Sequence, residues 1–148
     1  MVDDIDRAVV DALVRDGRAS AREVADATGI AATTVARRMD QLVDVGVIES
    51  YTARVDYDRL GYDVCAIFRL SVDGQGLHEV TGRLGRMDRM LAVYEVTGTD
   101  DIVAIGRFRT AERMNEQIKE LLTDEYIRSV TTSVVLRTVS EFEPLPLE

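Results

Sequence analysis

Five side chains between residues 33 and 41 carry groups that pair with polar partners in a fixed geometry: Thr33, Thr34, Arg37, Arg38 and Gln41. They are what remains on the outside if Val35, Met39 and Leu42 form the buried stripe of a helix running from about Ala32 to Val45. An arginine fork grips two acceptors side by side, as on the major-groove edge of guanine. A glutamine amide matches adenine, and a threonine methyl meets that of thymine. Arg37 and Arg38 are neighbours, about 100° apart around a helix, so one is expected on a base and the other on a phosphate. A good bidentate pair is worth about 1–3 kcal/mol of discrimination. The plainer alternative is that each arginine is a solvated surface charge.

A helix that presents such groups needs a scaffold. Residues 1–50 supply one as three short helices. The first is expected from Asp3 or Asp4 to Asp16, with Ile5, Val9 and Leu13 as its apolar stripe and Gly17 as its stop. Ser20-Ala21-Arg22-Glu23 has the form of a capping box and opens a second helix that ends at Gly29. The third is the helix described above, closed by Gly46. Three helices with a tight glycine turn before the last fit a helix-turn-helix, though any small three-helix bundle shares the pattern. Val47-Ile48 and Tyr51 to Val55 are short strand candidates that would make it winged. Residues 51–62 are then the wing strand and a polar hinge linker.

From residue 63 to 148 strand-like and helix-like stretches alternate. Val64, Ala66, Phe68, Leu70 and Val72 mark one face of a strand. A helix with Leu77, Val80 and Leu84 follows. Strands Leu91–Thr97 and Ile102–Phe108 flank the turn Gly98-Thr99-Asp100-Asp101. Thr110 caps a second helix carrying Met114, Ile118, Leu121 and Leu122, and a β-branched strand is expected over Val130–Val139. The order βαββαβ predicts an α+β, ferredoxin-like domain with helices on one sheet face. The other face would expose Cys65, Ile67, Val103 or Ile105, and Val135. Twofold pairing with a second copy is the economical way to cover it.

Composition narrows the classes. The chain has 148 residues and a formal net charge of −9. Its cations are 17 Arg and one Lys, and Asp outnumbers Glu 16 to 11. Such an Asp-rich, Lys-poor balance resembles proteins of salt-accumulating prokaryotes such as halophilic archaea. At ~1 M salt the Debye length is about 3 Å, so local placement of arginine matters more than global charge. The longest apolar runs fall short of a membrane span, and the acidic start lacks a cationic leader. A cytoplasmic protein without a membrane partner is expected. One cysteine excludes an internal disulfide. There is no GxxxxGK, HExxH or GxSxG. Cys65 reads as an apolar filler and His78 as a surface residue, so no enzyme activity, catalytic residue, metal or cofactor is expected.

Four stretches suggest a family. Asp4-Ile5-Asp6-Arg7 with Asp16-Gly17-Arg18, Gly46-Val47-Ile48 with Tyr51-Thr52-Ala53-Arg54-Val55-Asp56, Val96 to Asp101, and Leu145-Pro146-Leu147 all resemble the Lrp/AsnC group of regulators. The resemblance covers essentially the whole chain. It implies a winged helix-turn-helix that binds double-stranded DNA at pseudo-palindromic promoter sites. The following domain (ACT-like, also called RAM) would bind an effector, commonly an amino acid. It implies homodimers that assemble into larger even-numbered oligomers, often octamers. On that reading Ser20 and the start of the second helix would meet a phosphate through backbone N–H groups, and Arg54 would hold the DNA backbone. Asp100 and Asp101 would accept from an effector ammonium. N–H groups at Gly98 and Thr99, with Thr132, would bind its carboxylate. Plain hairpin chemistry also explains the Gly–Asp turn.

Two features depart from the family pattern. The first 56 residues carry 7 Arg against 11 acidic residues, a net of −4, unlike a basic DNA-binding domain. Ala31-Ala32 stands where relatives often have Ser and Pro, which weakens the helix start. The acidic balance leaves open a sensor that has lost DNA binding. Sirohaem decarboxylases share the two-domain architecture, but a single His and the intact wing signature speak against that chemistry.

Overall fold

In the computed structural model, which describes residues 1–147, the chain divides into two compact units. One comprises Met1–Arg54 together with the stretch from Ser140 onward, and the other is Val55–Val139. Glu148, the last residue of the expected second domain, lies outside the described residues.

The first unit holds α1 (Asp4–Arg15), α2 (Ala21–Thr28) and α3 (Ala32–Asp44). Gly29 turns the chain between α2 and α3 at φ 75°, a left-handed conformation that costs glycine little. Val9, Leu13, Val24, Val35 and Leu42 form the core, with Met39 and Ile48 against it. The α1 stripe differs from expectation. Ile5 is exposed and Asp6 is buried, because Asp6 holds a charge partner on α3. The expected wing strands do not form among the described residues. The N–H groups of Val47 and Ile48 close the end of α3 on the Leu42 carbonyl, and Tyr51 to Val55 lie exposed with no neighbouring strand to pair with.

The second unit has β1 (Val64–Val72), α4 (Leu77–Leu84), β2 (Met90–Glu95), β3 (Ile102–Phe108), α5 (Ala111–Leu122) and β4 (Ile127–Val134). The strands form one antiparallel sheet in the order β2-β3-β1-β4. Phe68, Leu70, Ile102, Ala104 and Phe108 pack against Val80, Leu84 and Leu121 of the helices. The Phe68 and Phe108 rings meet edge-on at 6.0 Å. β4 begins and ends earlier than expected. Its partner β1 starts at Val64, so nothing remains to pair beyond the bond from Val135 N–H to the Cys65 carbonyl. The uncovered face carries Ile67, Val103, Ile105 and Val135 half-buried, while Cys65, expected among them, is buried beside Arg107. No described helix is long and apolar enough to cross a membrane.

Candidate nucleic-acid interface and effector turn

The N-terminus of α1 determines how α3 sits. Asp3 is its N-cap, accepting from the Asp6 N–H at 2.9 Å, while Asp6 accepts from the Asp3 N–H at 3.0 Å. This reciprocal box turns both carboxylates toward α3. Arg38 Nη1 donates to Asp6 Oδ1 at 2.9 Å, and Nη2 lies 2.9 Å from Asp3 Oδ2. The Asp6 N–H holds the Asp3 carboxyl below the usual carboxylate range, and Arg38 lowers it further. Burial works against the Arg38 charge, but the two carboxylates outweigh it and raise its pKa. Arg38 is thus not on the outward face with Arg37. Its side chain is only 18% exposed, and both terminal nitrogens are engaged. Its guanidinium is committed to α1 and is not offered outward. It fixes α3 on α1.

The rest of the expected set on α3 divides simply. Thr33, Arg37 and Gln41 are exposed and spaced four apart, so they form one row along the helix. Thr34 is half-buried beside them. Arg37 has no ion pair among the described residues. Asp40 and Asp44 share the outward side farther along, so only the N-terminal half of α3 suits a polyanion. Ala31 makes no side-chain cap, as its methyl dictates.

Ser20 and Arg54 are otherwise occupied. The Ser20 hydroxyl accepts from Glu23 N–H at 3.2 Å, and Ser20 N–H donates to Glu23 Oε2 at 2.7 Å. The Ser20 N–H, and then its hydroxyl, keep the Glu23 carboxyl below its ordinary pKa. Two N–H groups expected to meet a phosphate are therefore taken, and a carboxylate sits among them. Arg54 donates to the Glu141 carbonyl and pairs with Glu143 at 3.6 Å, so it ties down the tail rather than standing free.

In the second unit, Gly98 adopts φ 117° and lets β2 fold back onto β3, with Val96 N–H on the Asp101 carbonyl at 2.9 Å. Asp101 Oδ2 accepts from Val72 N–H at 2.8 Å, at the irregularity that ends β1, so its carboxylate anchors the turn. Asp100 lies 4.0 Å from Arg69 Nε, and Thr99 is exposed. Thr132 is not part of this cluster. It pairs with Phe68 on the helix-covered side of β4, and β1 separates β4 from β3. Gly98, Thr99 and Asp100 are what one chain offers together.

One arrangement escaped the sequence reading. Arg107, buried on β3, donates to Asp58 at 2.6 Å and to the Tyr62 carbonyl at 3.2 Å, and lies 5.8 Å from the centre of the Tyr57 ring. Arg109 sits 4.5 Å from the Tyr62 ring centre. The segment 57–62 is thereby fastened to the sheet. A lone arginine inside an apolar strand was the available signal.

Comparison with known proteins follows this division. Residues 2–43 match the AsnC-type helix-turn-helix domain, and residues 65–145 match the Lrp/AsnC ligand binding domain. An HTH-type transcriptional regulator of Pyrococcus furiosus is 35% identical over 140 residues, 95% of each chain. The HTH-type transcriptional regulator FL11 of the same organism is 31% identical over 100% of this chain and 98% of that one. Among solved structures, the feast or famine regulatory protein of M. tuberculosis, complexed with L-methionine, superposes with a TM-score of 0.89 at 26% identity, over 99% of this chain and 100% of that one. With both of its domains matched in order, the chain belongs to the Lrp/AsnC family of transcriptional regulators.

Proposed function

We propose that this chain binds promoter DNA through α3, with Thr33, Arg37 and Gln41 facing base edges in the major groove and Thr34 beside them. The observation that carries the reading is the exposed row 33-37-41, whose arginine is unpaired in a unit where carboxylates neutralise most others. Residues 1–54 act as the reading head, and residues 63–139 pair chains and take an effector. The half-buried apolar face of the sheet supports a homodimer, and larger even-numbered assemblies such as octamers follow by analogy with the family. Pseudo-palindromic sites match a twofold protein. Work on DNA puts the protein in the cytoplasm.

The effector is a small molecule, an amino acid, bound near Gly98, Thr99 and Asp100. The methionine complex of the M. tuberculosis relative supports this class. Thr132 joins such a site only from another chain. The test is footprinting of the full chain on its own promoter across a salt series, with a thermal-shift screen of all amino acids. Protection over two half-sites supports the reading. No protection at any salt, with a melting point still raised by an amino acid, favours a sensor that does not bind DNA.

A further inference from the structure

Seven arginines lie between residues 1 and 54. Arg7 pairs with Asp4, Arg15 with Asp11, Arg38 with Asp3 and Asp6, and Arg54 with Glu143. Arg18, Arg22 and Arg37 have no ion pair among the described residues, and all three are exposed. Arg18 and Arg22 flank Ser20, at the entry to the first helix of the helix-turn-helix pair.

Their freedom is built in. Asp16, two residues from Arg18, spends its carboxylate on the Arg18 backbone N–H at 3.0 Å, which fixes the turn and leaves the guanidinium unneutralised. Glu23, next to Arg22, is held by Ser20 N–H. Asp26 lies one helical turn beyond Arg22, yet the two are unpaired. Arg18 and Arg22 are themselves four residues apart. Arg18 lies in the turn before α2 and Arg22 in the first turn of that helix, so both belong to the same helix end. In a helix-turn-helix the first helix crosses the sugar–phosphate backbone while the second enters the groove. The capping box has consumed two of the N–H groups that this helix end offers a phosphate, so fewer remain and the arginine side chains carry more of the contact.

We infer that Arg18 and Arg22 form a phosphodiester clamp, the main electrostatic contact of this acidic unit with DNA. The inference rests on the DNA-binding reading above and adds two residues to it. Arg37 serves sequence, and Arg18 and Arg22 serve affinity.

The experiment compares the full-length wild type with Arg18→Ala, Arg22→Ala, the double Ala variant and the double Lys variant. Binding is measured to a duplex carrying the protein's own promoter and to a scrambled duplex, across a potassium chloride series. Thermal melts check that each variant is folded. Each phosphate contact contributes about 0.9 to the slope of log K against log salt. The double Ala variant is expected to lose close to two from that slope and to weaken equally on both duplexes, while the double Lys variant keeps the slope. A double Ala variant with the wild-type slope overturns the clamp but leaves the DNA-binding reading standing. So does one that weakens only on the promoter duplex. A wild type that binds neither duplex overturns both.

Discussion

Arg38 and Asp6 stand 32 residues apart in sequence and meet at 2.9 Å, joining the middle of α3 to the first turn of α1. The carboxylate is buried, so the guanidinium is its main source of compensation. Removing the arginine leaves a charge without a partner.

Arg38→Ala is therefore expected to lower the melting temperature of the first unit clearly, and Asp6→Ala to do so less, because it leaves the more exposed arginine behind. A double variant less damaged than the sum would show the coupling. Arg38→Ala with an unchanged melt would rule the link out as structural.

Acid should loosen the same unit. The folded pKa values of Asp3 and Glu23 lie below their ordinary values, so the folded state binds fewer protons than the unfolded one. Their stabilisation is complete above the unfolded carboxylate pKa, about 4. It is lost as pH falls from there through the lower folded values. Urea midpoints followed by circular dichroism should drop across that window, and Asp3→Asn with Glu23→Gln should flatten the dependence.

Arg37→Ala should leave the fold intact and relax sequence preference. A lost bidentate contact costs about 1–3 kcal/mol of discrimination. Selection of binding sites from random duplexes should show one position per half-site losing its preference. An unaltered preferred sequence would mean that Arg37 does not read a base.

Gly76 has no room for a side chain. A Cβ there would lie 2.0 Å from the Tyr126 ring. Gly76→Ala should destabilise the second unit by about 1–3 kcal/mol through overpacking, and adding Tyr126→Ala should recover part of the loss. Denaturant melts decide this.

Arg107→Met should free the segment 57–62. The amides of Leu60, Gly61 and Tyr62, all bonded within that turn, should exchange faster while those of β1 stay protected.

What was legible in the sequence was whatever local pattern controls. The capping box at Ser20, the glycine after α2, the Thr110 cap and the alternation of β1 all give correct elements, because each depends on neighbours in the chain. The outward side of α3 was half legible. Thr33, Arg37 and Gln41 are exposed as expected, but whether an arginine is free depends on carboxylates elsewhere in the chain. Arg38 is claimed by Asp6 and Arg54 by Glu143, and no helical spacing reveals either. The same reason hid the Asp58–Arg107 fastening. β4 was displaced because β-branching marks where a strand is favourable, while its partner decides where it ends.

The tail contact of Arg54 has a consequence for synthesis. Glu141, which takes its hydrogen bond, is added 87 residues later. The three helices can assemble early on the ribosome, but this clasp waits until the whole sheet-bearing unit has been made. A polypeptide stopped before residue 140 would carry the reading head with Arg54 unclaimed, and would differ from the finished chain in its attraction for polyanions.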